Sequence, residues 1–208
     1  MFLHKSNLLL RALYPRFRWR LPTRDKVIYL TFDDGPIPDV TEFVLETLAQ
    51  YGAQATFFCI GDNVRKNPAV FGQVKQRGHL IGNHTFNHLN GWKTEDAVYL
   101  DNFRQCQAVL GVPTRVMRPP YGRIRRSQAT EVLKSHEVVM WDVLTGDFSP
   151  ELTPETVLRK TIQYTEPGSI LVFHDSLKAR RNLEYALPRT LQHFAEQSYR
   201  FEILPFGA

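Results

Sequence analysis

The 208-residue sequence predicts an α/β fold whose parallel sheet closes into a barrel. Three observations carry this prediction. Short apolar runs alternate with segments of helical period along the chain. Most of those runs are apolar without alternation, the pattern of strands covered on both faces. The repeats are also numerous enough to favour closure. With 43% hydrophobic and 23% charged side chains, the composition is that of a globular domain with a sizeable core.

The first strand, Val27-Ile28-Tyr29-Leu30-Thr31-Phe32, is β-branched and aromatic and is closed by the turn signal Asp33-Asp34-Gly35-Pro36. Asp39, with Glu42 three residues on, opens a helix in which Phe43, Val44, Thr47 and Leu48 recur at helical spacing until Gly52 stops it. A strand follows at 55–60, then a helix at 68–77 with Asn67 as cap and Gly78 as stop, then a short strand through Leu80 and Ile81. Beyond a loop that carries His84 and His88 come a helix from about 94 to 110, a strand at 115–117, a helix around 127–134 and a strand at 138–141. Thr153 opens a helix with Pro154 in its first position, which ends before Pro167-Gly168. A strand at 169–173 and a helix near 183–197 complete the series. The expected division is a lead-in at 1–25 and one domain at 26–208, with no repeat or linker inside it.

The longest apolar stretches, such as Ala55-Thr56-Phe57-Phe58-Cys59-Ile60, fall far short of the roughly 20 residues that span a bilayer. Leu8-Leu9-Leu10 is cut off by Arg11 before it makes a signal-peptide core, so no cleavable signal is expected. Two cysteines, Cys59 and Cys106, give no disulfide framework and read as buried thiols, in keeping with a reducing compartment. A net charge of +5 and a pI near 9.3 favour anionic surroundings without choosing among them. Part of the excess lies in Arg11, Arg16, Arg18, Arg20 and Arg24, interleaved with Tyr14, Phe17 and Trp19. That lead-in reads either as a membrane-surface segment or as a solvated basic stretch whose aromatics cover the domain. The basic residues form no nucleic-acid docking motif, and no nucleic-acid partner is expected.

His84 and His88 are four apart, so one helical turn would bring both imidazoles within reach of one ion; a carboxylate would complete a three-ligand site with an open position. Asp33-Asp34 offers two carboxylates that side-chain alternation points in different directions, one for a ligand and one for a base. His174-Asp175 ends another apolar run and sets an imidazole on the same rim.

Five segments in order then resemble the polysaccharide deacetylases of carbohydrate esterase family four. They are Thr31-Phe32-Asp33-Asp34-Gly35-Pro36, His84-Thr85-Phe86-Asn87-His88, Arg118-Pro119-Pro120-Tyr121-Gly122, Trp141-Asp142-Val143-Leu144-Thr145-Gly146-Asp147-Phe148 and Leu171-Val172-Phe173-His174-Asp175. The likeness runs from about Lys26 onward. It implies the α/β fold of that family, a distorted (β/α) barrel of seven or eight strands, and a hydrolase that removes N-acetyl, or O-acetyl, groups from an acetylated oligo- or polysaccharide such as peptidoglycan or chitooligosaccharide. One divalent metal is implied, usually zinc, with cobalt, nickel or manganese as alternatives, held by Asp34, His84 and His88. Asp33 corresponds to the general base, Arg118 to its ion-pair partner, the Tyr121 backbone N–H to the oxyanion donor, His174 to the general acid and Asp147 to the carboxylate that orients it. Phe148, Val172, Tyr121 and Pro120 would line the substrate pocket. Family members often carry aspartate where Leu144 stands and tryptophan where Phe148 stands. Other readings of the same scaffold are an amide hydrolase on a non-sugar substrate and a non-catalytic glycan-binding protein. The expected state is a monomer, cytoplasmic or in peripheral contact with a membrane surface.

Overall fold

The computed structural model describes residues 3–205. Its elements are α1 (Leu8–Leu13), β1 (Val27–Asp33), α2 (Val40–Gln50), β2 (Ala55–Cys59), α3 (Gly61–Lys66), α4 (Pro68–Gln76), β3 (Leu80–Asn83), α5 (Asp96–Leu110), β4 (Val116–Met117), α6 (Arg126–Val132), β5 (Glu137–Val138), β6 (Val143–Leu144), α7 (Pro154–Tyr164), β7 (Ile170–His174), α8 (Arg180–Glu196) and β8 (Arg200–Phe201). The strands form one parallel sheet in the order β5-β4-β3-β2-β1-β7-β6, with β8 beside the start of β1. This is the curled parallel sheet with covering helices that the alternating pattern predicts. All seven residues of β1 are buried, as its unbroken apolar run requires.

Alternation along β1 sends Leu30 and Phe32 to the helix side and Thr31 and Asp33 to the other face. On the helix side Phe32 stacks on Phe57 and Phe173, with ring centroids 5.0 and 6.1 Å apart. Val44, Leu45 and Leu48 of α2 and Leu183, Leu187 and Leu191 of α8 close over this layer and are fully buried. Each such side chain contributes about 1.5–3 kcal/mol through burial. Register then levels the carboxyl ends: Asp33 lies opposite His174 on one side and Phe58 on the other, and Asn83 lies opposite Cys59 and Met117. Asp33, His174, His84 and Arg118 therefore all emerge at one rim.

The strand read at 138–141 is the shorter β5, and a separate β6 follows it at Val143–Leu144; the two do not pair with each other. The lead-in fills the space between them. Arg18 exchanges backbone hydrogen bonds with this edge, its N–H to Val138 O at 2.9 Å and its carbonyl from Met140 N at 2.8 Å; Leu144 N donates to His4 O and Ser6 N to Asp142 O. Lys5 and Arg11 both meet the buried Asp142 carboxylate, Arg18 meets Glu137 at 2.7 Å and Arg20 meets Glu166 at 3.3 Å. Trp19 is buried against Met117, Val138 and Met140, with Tyr14 and Phe17 packed alongside. The aromatics of the lead-in thus cover the domain, while three of its five arginines are paired with acids rather than solvated.

α1, α3, β6 and β8 were not expected from the sequence. Two-residue strands and one-turn helices are too short to show a period, and neighbouring backbone decides them. The basic stretch Lys178-Ala179-Arg180-Arg181 runs into α8, where Arg180 pairs with Glu184 four residues on at 2.7 Å. Cys59 and Cys106 are both buried free thiols. Among the described residues no helix is long and apolar enough to cross a membrane.

Candidate active site

The turn after β1 separates the two aspartates. Asp34 takes a positive φ of 85°, and Gly35 follows where a Cβ would lie 1.8 Å from the Asp175 carboxylate, so only glycine fits there. Asp175 holds this turn from β7, accepting from Gly35 N at 3.0 Å and from the Thr41 hydroxyl at 2.6 Å. Burial pushes its carboxyl up to about 8, against the lowering effect of those two donors. Asn63 on α3 adds a hydrogen bond to the Asp34 carbonyl at 2.7 Å.

Asp33 turns inward to Arg118. The Arg118 side chain is fully buried, and its Nη1 donates to Asp33 Oδ1 and to the Thr31 hydroxyl, each at 2.7 Å. Its other donors reach the carbonyls of Val139 and Met140, and its guanidinium lies 4.2 Å over the Phe58 ring. Every edge of the guanidinium is thus engaged, which is what a buried cation requires.

Asp34 faces two imidazoles, with His88 Nε2 at 3.2 Å and His84 Nε2 at 3.6 Å from its Oδ1. The residues from 84 to 88 are not the helical turn expected from their spacing. They form a loop in which Thr85 and His88 have positive φ, 61° and 56°, and this folds both rings toward Asp34. Asn102 on α5 holds the loop: its Oδ1 accepts from Phe86 N and Asn87 N at 2.9 Å each, and its Nδ2 donates to Asn87 Oδ1 at 2.9 Å. The His84 Nδ1–H donates to the Arg118 carbonyl at 2.7 Å, which fixes the tautomer with a free lone pair on Nε2 toward Asp34. Burial lowers His84 to about 4, beyond what the nearby aspartates recover, so its ring is neutral at pH 7. For Asp34, burial opposes ionisation, but His88, His174 and His84 outweigh it and hold the carboxyl well below the usual carboxylate range.

One donor atom from each of Asp34, His84 and His88 lies within 4.8 Å of the other two. Asp34 Oδ1 is buried and accepts no hydrogen bond within the protein. An orphaned carboxylate oxygen facing two imidazoles, one of them a fixed neutral donor, fits a divalent cation with two nitrogen ligands and one oxygen ligand.

Across the rim, Asp147 is fully buried and accepts twice from His174, at Oδ1 from ring Nδ1 at 2.8 Å and at Oδ2 from the backbone N–H at 2.7 Å. Asn182 on α8 fixes this segment by donating to the carbonyls of Asp147 and Ser149. Burial works against a charged His174, but the carboxylates of Asp147, Asp34 and Asp33 prevail and raise it to about 9. Phe148 sets its ring edge-on to His174, with centroids 4.9 Å apart.

Tyr121 sits in a 3-10 turn, Pro120–Gly122, with a left-handed backbone at φ 60°, and its exposed ring lies 4.6 Å from that of His88. A cavity of about 820 Å³ takes in Asp33, Asp34, His84, His88, His174 and Tyr121. Leu144 and Phe148 line it, whereas Val172 and Pro120 are buried and do not. Asn102 and Asn182 support the site without having been singled out in the sequence, since each acts from a distant helix and their spacing carries no signal; Thr31 and Asp175 stand inside the five segments of family likeness, which assign them no role. Replacing Asn102 by alanine strands two loop N–H groups and is expected to weaken divalent-ion binding by about 10–100-fold, read by chelator competition.

Comparisons with known proteins identify the family and the fold. The family model described as polysaccharide deacetylase matches residues 20–141. A peptidoglycan-N-acetylglucosamine deacetylase of Bacillus cereus is 35% identical over 190 residues, covering 88% of each chain. A chitooligosaccharide deacetylase of Azorhizobium caulinodans is 34% identical over 167 residues, covering 75% of this chain and 77% of its own. Among solved structures, a peptidoglycan N-acetylglucosamine deacetylase in complex with 4-naphthalen-1-yl-N-oxidanyl-benzamide superposes with a TM-score of 0.88 at 27% identity, over 96% of this chain and 95% of that one. With more than half its length matched by the family model and its fold shared throughout, the chain belongs to the polysaccharide deacetylase family.

Proposed function

We propose that the protein is a metal-dependent N-deacetylase of acetylated glycans, with N-acetylglucosamine units as the acetylated residue. One observation carries the reading. A single cavity joins a three-donor cluster, a separate carboxylate ion-paired beside it and an imidazole backed by a buried carboxylate. Hydrolysis of an amide needs these separate parts: an electrophile, a base and an acid. The similarity to peptidoglycan and chitooligosaccharide deacetylases supports the sugar class.

Asp34, His84 and His88 would hold the cation, which when bound supplies Lewis-acid polarisation of the carbonyl and a water of lowered pKa. Asp33, fixed by Arg118, takes the proton from the attacking water as a C–O bond forms at the acetyl carbon. The Tyr121 N–H donates to the oxygen that gains charge, a contribution of about 3–4 kcal/mol for donors of this kind. His174 gives its proton to the amide nitrogen as the C–N bond breaks, leaving acetate and a free amine. Asp147 keeps that imidazole charged and aimed.

The acid needs its proton, so turnover is expected to fall as pH rises through about 9. In Asp147→Asn the strongest raising influence is gone while burial remains, and the alkaline limb of kcat is expected to move down by at least about one pH unit. A limb that stays in place would remove His174 from the acid role.

The function itself is tested by acetate release from N-acetylated chitooligosaccharides, peptidoglycan fragments and acetylated xylan after zinc reconstitution. Acetate from the first two, abolished by chelation and by Asp33→Asn, is expected. A stoichiometric ion with no acetate from any substrate would leave a glycan-binding protein on this scaffold instead.

A further inference from the structure

The cavity extends beyond the groups that do chemistry, and a large part of its wall comes from the lead-in. Leu3, Leu10, Leu13 and Tyr14 line it, facing a wall that includes Ile124 and Leu144. Leu10, Tyr14 and Phe17 pack with Ile124 and Met140 into one apolar cluster, so this wall is continuous. Among the lead-in residues that line the cavity only Ser6 and Tyr14 carry a hydroxyl, and Arg123, Ser176 and Lys178 are polar lining residues from other segments. The Ser6 hydroxyl accepts from Arg11, the Arg123 guanidinium lies over the Trp92 ring at 5.1 Å, and Lys178 Nζ lies 5.7 Å over Phe148.

Such a wall is a poor match for more sugar. A saccharide seated against it would strip water from its hydroxyls and find few donors or acceptors in exchange. Aliphatic chain is a good match, because the wall offers only dispersion contact and area to bury. The apolar surface does not stop inside: Leu3 and Leu13 are 56% and 58% exposed at the cavity, and Leu8 and Leu9, on the same short helix as the lining residues Leu10 and Leu13, are 81% and 67% exposed. An apolar path thus leads from the acetyl-handling centre to the surface, along leucines that have no covering partner among the described residues.

We propose that the substrate is an acetylated sugar carrying a long apolar chain, a glycolipid, whose sugar lies at the Asp33–His174 centre and whose chain leaves along the lead-in wall. The inference rests on the deacetylase reading for the sugar end only. The leucines at 8, 9 and 13 then lie where the remainder of the chain emerges, as befits a substrate presented from a lipid surface.

The test compares methyl and octyl N-acetyl-β-D-glucosaminide, the latter below its micellar concentration, with N-acetylchitotetraose as the glycan alternative. Dissociation constants come from calorimetry on the zinc-loaded protein, and acetate release is measured in parallel. The octyl glycoside is expected to bind at least about tenfold more tightly than the methyl, equivalent to about 1.4 kcal/mol. In Leu3→Ser/Leu13→Ser that ratio is expected to fall below about threefold. Val98→Ser, at an exposed position on α5 away from the cavity, serves as control and is expected to keep the ratio. Equal binding of octyl and methyl glycosides would overturn the inference, as would tetraose binding more tightly than octyl and losing that advantage in the double variant. Acetate release without any octyl preference would sink this inference alone. Tight octyl binding with no acetate from any of the three would instead sink the deacetylase reading and leave the apolar path standing.

Discussion

Asparagine in place of Asp33 is expected to lower kcat by about 10²–10⁴-fold while the protein still takes up one divalent ion per chain. The two carboxylates of the turn have different partners: Asp34 faces His84 and His88, whereas Asp33 is held by Arg118. Asparagine keeps the size of the side chain and an oxygen for Arg118 Nη1, so the buried guanidinium retains its hydrogen bonds. The capacity to take a proton is lost, and with it the charge that pairs with Arg118, so some loss of stability is expected alongside the loss of turnover. Acetate release together with metal content by elemental analysis separates the two functions. His84→Ala is the contrast, expected to lose metal and turnover together, because it deletes a ligand whose tautomer the Arg118 carbonyl sets. Turnover of Asp33→Asn within a few-fold of the parent would assign the base elsewhere.

Removing the partner of Asp33 is expected to act on the fold itself. Arg118 is fully buried and the Asp33 side chain is nearly so, at 0% and 6% exposure. Arg118→Met leaves the Asp33 carboxylate in a low-dielectric interior without its ion-pair partner, and a loss of about 3–5 kcal/mol is expected from breaking a buried pair on one side. It also frees the carbonyls of Val139 and Met140, which accept from the guanidinium. Denaturant unfolding measures the loss. Adding Asp33→Asn to the same chain removes the stranded charge and is expected to recover part of it, a non-additivity that a double-mutant cycle reads directly. A loss under about 1 kcal/mol, or strict additivity, would show that the pair carries little energy.

Asp142 explains why the lead-in is not an appendage. Its fully buried carboxylate takes Lys5, Arg11 and the Ser169 hydroxyl, tying residues before the first core strand to β6 and to the start of β7. That tie holds the apolar lining residues of the lead-in against the cavity.

What the sequence determined by itself was the alternation of strands and helices, because period and turn residues are local properties, and a candidate set of polar residues, several of which fall at the ends of apolar runs. Asp33, Asp34, His84, His88, Arg118, Asp147 and His174 were all legible from these runs and from family resemblance. Tertiary structure alone decided how they meet. The spacing of His84 and His88 pointed to a helical turn, yet a loop with two left-handed residues, pinned by Asn102 from another element, brings the rings together. It likewise decided that Leu144, rather than Val172, faces the cavity, and that the lead-in forms a wall of it. Hydrogen bonds between residues such as Asn102 and Asn87, or Asn182 and Asp147, and strands two residues long leave no periodic trace; they form only where packing has already placed their partners.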